Sequence, residues 1–252
     1  MKNSKEIIQQ RQDRILQMLR QKQLASVTEL AKHFHVTPAT IRRDLHAMET
    51  DGLIRMQYGN IILLTEKPRE LPFAFRENQA KESKRSIARL AASMIPANAT
   101  VMLDSSSSAM YMADFICPDC GITVFTNCFK TAVKLCENGI TVYFMGGILD
   151  KRNLVTSGAW TEDALKNINV DYLFFSSKAV DSKGIISGQS ETGVKMRRLM
   201  LEHARNTYFL CNGEKVGNAS TFTLCKTSEI TGVITDADLS FIPDTKIIML
   251  EP

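Results

Sequence analysis

"HVTPATIRRDL", residues 35–45, decides how the chain reads. Thr37 has the side-chain oxygen that caps a helix. Pro38 suits the first helical position, where its missing N–H would have no partner anyway. Ile41, Leu45 and Met48 follow at spacings of four and three, so they share one face and form its buried stripe. Thr40, Arg42, Arg43 and His46 are thereby pushed off the core, and Gly52 stops the helix. Asp44, between the stripe and the arginines, is expected to pair with a basic neighbour. A short helix that keeps two adjacent arginines outside its core is suited to an anion. Arginine reaches a phosphate, or grips guanine O6 and N7 with both arms of its fork.

Working upstream, Ser26 and Glu29 have the spacing of a capping box. They start a second short helix, with Leu30 and Phe34 inward. Before it, "KEIIQQRQDRILQMLRQK" (5–22) reads as an amphipathic helix with Ile8, Ile15 and Leu19 on one stripe. Downstream, "LIRMQYGNIILL" (53–64) reads as two strands joined at Gly59–Asn60, a pair suited to a tight hairpin turn. Helix, helix, turn, helix, hairpin is the order of a winged helix-turn-helix. Its third helix enters the major groove while the hairpin lies beside it. The expected DNA contacts are Ser26, Thr37, Ala39, Thr40, Arg42, Arg43, His46, Arg55 and Gly59.

Charge supports the reading. Residues 1–64 hold 10 Lys+Arg against 6 Asp+Glu, and residues 65–252 hold 21 against 21. All of the net +4 therefore sits in the first quarter, as expected of a polyanion-binding module joined to a neutral body. No apolar run is long enough for a membrane helix and the first residues lack a secretory apolar stretch, so a cytoplasmic protein is expected. The six cysteines are scattered. "CPDC" (117–120) is expected to be a loop with two reduced thiols, and no metal or cofactor is expected.

The segment 65–76, "TEKPRELPFAFR", reads as a linker between residues 1–64 and 77–252. One helix is expected over about 77–94, with Ile87, Leu90, Ala91 and Met94 inward and Lys81, Lys84, Arg85 and Arg89 as a solvated face, the alternative for these charges being contact with the domain that follows. Then apolar strands at 100–104, 122–126, 140–147, 171–176, 207–211, 232–236 and 246–250 alternate with helical stretches. That pattern means a mostly parallel sheet covered on both faces, with ligands beyond the strands' C-terminal ends. Those ends supply Asp104 and Ser105, Ser106, Ser107 and Ser108, then Asn127, then Gly146 and Gly147, then Lys178 and Asp181. Glu191, Lys195 and Lys215 complete the set. Anion donors with carboxylates and an amide suit a phosphate carrying hydroxyls, hence a sugar phosphate. The alternatives are a polar turn for the serines and tight packing for the glycines. No Walker lysine motif or G-x-G-x-x-G follows the first strand, which disfavours nucleotides.

Residues 11–60, above all "TPATIRRDL" with Arg14, Leu30, Gly52 and Arg55, resemble the DNA-binding domain of the DeoR family of bacterial transcriptional regulators. Residues 73–236 resemble that family's sensor domain through "VMLDSSSSA", "VFTN", "YFMGGIL", "ETGVKMRRLMLEHA", "NGEKVG" and "GVITD". The resemblance implies an α/β chain: a winged helix-turn-helix, then a larger domain similar to ribose-5-phosphate isomerase. It implies an oligomeric repressor of carbohydrate-metabolism genes, with double-stranded operator DNA and a phosphorylated sugar as partners. It also places the pocket residues named above around that effector. Three local departures are visible: serines throughout the first loop, Ser176–Ser177 where the family often has Gly-Ala, and Cys211–Glu214 before the lysine. The alternative is an isomerase- or deaminase-like enzyme with a DNA-binding appendage, using Asp181 and Glu191 as acid and base. Lys178 intrudes on the carboxylate cluster that such enzymes carry.

Overall fold

A computed structural model describes residues 4–22, 24–57, 60–63 and 73–250. The chain divides into two compact units, Met1–Gln79 and Ala80–Pro252.

The smaller unit holds α1 (Ser4–Lys22), β1 (Leu24–Ser26), α2 (Val27–His33), α3 (Pro38–Thr50), β2 (Ile54–Gln57), β3 (Asn60–Leu63) and α4 (Phe73–Asn78). Its core is Ile15, Leu16, Leu19, Leu30, Ile41, Leu45, Met48, Ile54 and Ile61, all nearly or fully buried. Burial of that many large aliphatic side chains, at about 1.5–3 kcal/mol each, is what holds three short helices together. The expected stripe on α1 begins later than its periodicity suggests: Ile15 and Leu19 are buried, while Ile7 and Ile8 are exposed. α3 ends through Gly52, whose φ of 66° lets Gly52 N–H reach Glu49 O and Leu53 N–H reach Met48 O.

Two local differences concern the wing. β1 was not expected; it pairs antiparallel with β3 and gives a sheet of order β1-β3-β2. Asn60 is not a turn residue but the first residue of β3, paired with Gln57. Tyr58 and Gly59 lie outside the described residues, and with them the contact expected of Gly59; so do residues 65–72 of the expected linker. The helix expected over 77–94 is two, α4 and α5 (Lys81–Ser93), separated by Ala80 at a positive φ of 48°.

The larger unit is built on seven parallel strands: β4 (Thr100–Leu103), β5 (Thr123–Thr126), β6 (Thr141–Phe144), β9 (Val170–Phe175), β12 (Ala204–Cys211), β14 (Gly232–Thr235) and β15 (Ile247–Met249). Between them come α6 (Ser107–Met110), α7 (Phe129–Glu137), the hairpin β7 (Ile148–Asp150) and β8 (Val155–Ser157), α8 (Ala159–Lys166), β10 (Ala179–Val180), β11 (Ile185–Gly188), α9 (Glu191–Glu202) and β13 (Phe222–Lys226). The order across the main sheet is β15-β14-β12-β9-β4-β5-β6, and every pairing in it is parallel. All seven expected strands are present. Leu173, Phe174, Phe175 and Phe209 of the central strands are fully buried, as a sheet covered on both faces requires. The β7–β8 hairpin and the antiparallel β10-β11-β13 sheet were not expected.

"CPDC" departs from the expectation of two reduced thiols: Cys117 and Cys120 are disulfide-bonded. A 3-10 turn over Pro118–Cys120 sets their Cα atoms 5.4 Å apart, within the span a disulfide bridges. Among the described residues, no helix is long and apolar enough to cross a membrane.

Candidate functional site

In the smaller unit, the third helix is assembled as its residues dictate. Thr37 Oγ1 accepts the Thr40 N–H at 3.2 Å, and Pro38 occupies the first turn. Ser26 and Glu29 close both halves of their capping box ahead of α2. Ile41, Leu45 and Met48 are fully buried, which leaves Ala39, Arg42, Arg43 and His46 exposed along one face and Thr40 partly so. Asp44 does pair with a basic side chain, but that side chain is Arg11 of α1. Arg11 Nε donates to Asp44 Oδ2 at 2.5 Å and Nη2 to Oδ1 at 3.2 Å, with the carboxylate side chain only 3% exposed. The pair fixes α3 against α1, so the neighbouring arginines need not satisfy Asp44. Glu49 Oε1 accepts the Met56 N–H at 2.8 Å and holds the wing to the same helix.

In the larger unit, polar groups collect beyond the C-terminal ends of β4, β9 and β12. Asp104, fully buried, accepts Arg197 Nε from α9 at 2.6 Å and the Ser106 N–H at 3.0 Å. Lys84 of α5 is buried and donates to Ser107 Oγ at 3.1 Å. This corrects the expectation of a solvated basic face: Lys84 shares the inward face of α5 with Ile87 and Ala91, three and seven residues on. Lys215 Nζ donates to Ser176 Oγ. Loss of water pulls the Lys215 pKa down from its ordinary 10.5 to about 8, with Arg197 and Lys178 pushing the same way and Asp104 opposing. Among the described residues of this unit, the buried charged side chains are Lys84, Asp104 and Arg197. Arg197 bonds Asp104 directly, the desolvated Lys215 ammonium feels the same carboxylate, and Lys84 reaches the loop after it at Ser107.

Buried acceptors lie at the same edge of the sheet. Asn127, just past β5, gives its Nδ2 to Thr156 O at 2.9 Å, while its Oδ1 is buried without a hydrogen bond. Asn212, just past β12, likewise has a buried Oδ1 with no partner. An unmade hydrogen bond at a buried amide oxygen costs about 1–3 kcal/mol, so both suit an incoming hydroxyl.

The remaining residues expected at the pocket are placed less centrally. Ser106 caps α6 by accepting the Ala109 N–H, Ser108 is buried in that helix, and Ser105 is half-buried ahead of it. Gly147 has a φ of 146°, and a side chain there would run into Thr161 Oγ1 and the Ser157 carbonyl, so close packing accounts for it. Gly146 O accepts from Thr161 Oγ1 at 2.7 Å. Asp181 Oδ1 is occupied by the Lys183 and Ile185 N–H groups of the β10–β11 turn. Lys195 is bonded to Glu162 of α8 at 2.8 Å rather than to Glu191, and both Glu191 and Lys195 are exposed. Lys178 is exposed at the end of β9. Sequence reasoning missed Arg197 and Asn212 as site residues, and favoured solvent for Lys84. The signal for Lys84 was its spacing to Ile87.

The family model described as the DeoR-like helix-turn-helix domain matches residues 11–67, and that described as the DeoR C terminal sensor domain matches residues 79–237. The chain belongs to the DeoR family. It is a DNA-binding transcriptional regulator with an N-terminal helix-turn-helix and a C-terminal α/β sensor domain. This regulator is similar to the HTH-type transcriptional regulator YulB of Bacillus subtilis, 30% identical over 92% of this chain and 90% of that protein. It is 29% identical to the L-fucose operon activator of Haemophilus influenzae, over 91% of this chain and 92% of the other. It is 26% identical to the glycerol-3-phosphate regulon repressor of Escherichia coli, over 90% of each chain. Among solved structures, ribose 5-phosphate isomerase A from Neisseria gonorrhoeae aligns with a TM-score of 0.40 at 10% identity, over 53% of this chain and 52% of that one.

Proposed function

We propose that this regulator is an oligomeric repressor of carbohydrate-metabolism genes, and that a phosphorylated sugar in the larger unit controls its hold on an operator. The carrying observation is the trio Lys84, Arg197 and Lys215 around Asp104. Cations stripped of water beside one buried carboxylate favour an anion of higher charge. A phosphate monoester brings close to two negative charges and three acceptor oxygens. The orphaned amide oxygens of Asn127 and Asn212 would take the sugar's hydroxyl protons. A nucleotide fits this reading less well, because the chain has no phosphate-cradling glycine loop after β4.

On the DNA side, Arg42, Arg43 and His46 reach base edges and phosphates from the exposed face of α3. Ser26, Thr37, Ala39, Thr40 and Arg55 position the helix and wing, and operator affinity falls steeply with salt. The effector acts by favouring the form that holds DNA less well, with a coupling of about 1–3 kcal/mol.

A thermal-shift series against phosphorylated and unphosphorylated sugars, on wild type and on Lys215→Met, tests this. Wild type is expected to gain stability only with phosphorylated members, and Lys215→Met to lose that gain while keeping operator affinity. Equal stabilisation of both proteins, or by the unphosphorylated sugars, would overturn the pocket assignment. Turnover of a sugar phosphate by wild type would favour the enzymatic alternative.

A further inference from the structure

The bonded pair Cys117–Cys120 belongs to neither site described above. It closes a turn around Pro118 and Asp119, and Cys117, Pro118 and Asp119 all stand in solvent. A bond so placed does little as a staple. A loop this short takes little freedom from the unfolded chain, and a body with a core this large needs no cross-link to fold. A DNA-binding regulator also works where thiols are kept reduced, and disulfides found there are mostly transient ones. The other thiols are placed differently. Cys128, Cys211 and Cys225 are buried, and loss of water pushes the Cys211 and Cys225 thiols up to about 12, while Cys136 is exposed on α7.

The turn is tied to α5 on both of its sides. Cys120 O accepts the Asn98 N–H at 2.7 Å, in the connector that leads from α5 into β4. Gly121 follows, so close to Asn98 that a side chain there would run into the Asn98 side-chain oxygen. Ahead of the turn, Ile116 is buried, and Phe115 receives the guanidinium groups of Arg85 and Arg89 at 5.3 and 5.1 Å from its ring centre. Arg85 also bonds Asp114 at 2.6 Å. The residues before Cys117 thus grip the body of α5, and Cys120 grips its exit.

We propose that Cys117 and Cys120 form a reversible dithiol–disulfide site, reduced by a dithiol, whose state sets how firmly α5 and its connector to β4 are held. A thiolate of the reductant attacks the sulfur of Cys117, the more exposed residue of the two. The Cys117–Cys120 bond breaks, and Cys120 leaves as a thiolate that takes up a proton. The reductant's second thiol loses its proton and attacks the mixed disulfide, which frees Cys117. Two electrons have then passed to the pair, and the dithiol ends as its own disulfide. A low-molecular-weight disulfide reverses the change in two exchanges and departs as two thiols. With the bond open, the grip at Phe115 and the grip at Cys120 no longer move as one. The helix they hold is the first of the larger unit and the one that carries Lys84.

The full chain is treated with dithiothreitol or with oxidised glutathione, without denaturant, and then with a maleimide. Peptide mass reads the state of Cys117 and Cys120. Both are expected to carry the label after dithiothreitol, and to carry an internal disulfide after oxidised glutathione. Amide hydrogen exchange over residues 81–99 is followed in the same two states. It is expected to run several-fold faster in the reduced chain. Cys117→Ser/Cys120→Ser, with far-UV circular dichroism as the folding check, is expected to exchange at the reduced rate under both reagents. A pair that opens only in denaturant is a staple and would overturn the proposal. So would thiols that stay unbonded in oxidised glutathione, or equal exchange over 81–99 in the two wild-type states. If the double variant does not fold, the two wild-type states still decide. Neither readout uses a sugar phosphate or an operator, so failure here leaves the proposed function standing, and the reverse holds.

Discussion

The two units treat their positive charge in opposite ways. In the smaller one, Arg42 and Arg43 stand in solvent while the carboxylate beside them, Asp44, is buried and matched by Arg11. In the larger one, Lys84 and Arg197 are buried, the Lys215 ammonium is desolvated, and Arg197 is bonded to the buried carboxylate of Asp104. On the proposed reading, the contrast follows from the size of the anion. A duplex cannot enter a protein, so its partner arginines must wait outside and accept full hydration. A small phosphate can be enclosed, and enclosure strengthens each contact because the surroundings are less polar than water. Balanced charge inside the first unit gives a rigid outer face; on the proposed reading, the buried cations of the second are what an enclosed anion would meet.

The most severe way to break this comparison is to remove the outer charges. Arg42→Ala with Arg43→Ala is expected to weaken operator binding by roughly 100-fold or more, at about 1–3 kcal/mol per contact. The thermal midpoint should not move, since neither side chain is buried. Binding titrations at two salt concentrations should also show a shallower salt slope. Operator affinity equal to wild type would end the assignment of α3 as the reading helix.

Removing Asp104 probes the inner charges. Asp104→Ala leaves Arg197 buried without its carboxylate, at an expected cost of about 3–5 kcal/mol in urea unfolding of the full chain. Asp44→Ala should destabilise the smaller unit through the same mechanism, leaving Arg11 unmatched. The two variants differ in what restores them. Inorganic phosphate should recover part of the Asp104→Ala loss and none of the Asp44→Ala loss.

The pH dependence is a gentler test. Lys215 titrates near 8, whereas in the unfolded chain a lysine titrates near its ordinary 10.5. Between these values the unfolded state holds more protons, so the free protein gains stability as pH rises through that window. The ligand behaves oppositely. A phosphate needs the ammonium charged, so affinity for a phosphorylated sugar should be highest below pH 8 and fall as pH rises through it. Calorimetric titrations on wild type and Lys215→Gln would show this, the variant binding more weakly and losing the fall.

How much of this was legible depended on whether the signal was local. The Thr37–Pro38 start, the Ser26–Glu29 box and the 41/45/48 stripe each lie within one helical turn or two, and each forms as read. The seven strands were legible because apolar runs alternate with amphipathic ones. Non-local facts were not. Nothing near Arg11 indicates that its partner is 33 residues on, or near Lys195 that its partner is Glu162. Lys84 had inward spacing, but its charge argued for solvent; only the cluster around Asp104 explains it. β6 reads like the central strands, because an uncharged run is the same in sequence whether a sheet's edge or its middle will receive it. Ile7 and Ile8 satisfy the helical period of α1, yet no element among the described residues buries them.

The smallest expected effect concerns the cap of α2. Ser26 Oγ accepts the Glu29 N–H at 3.2 Å, and Glu29 Oε2 accepts the Ser26 N–H at 2.9 Å, so two helix-end donors depend on one exposed pair. Ser26→Ala removes one acceptor and should cost about 1 kcal/mol, read as a shift in the unfolding midpoint of the smaller unit. Ser26→Asp keeps an acceptor at the cap and should recover most of that stability. It also sets a carboxylate where DNA phosphates are expected to pass. If Ser26 faces the duplex, Asp will restore stability while lowering operator affinity. If it does not, both quantities will return together, and the cap will have been a matter of folding alone.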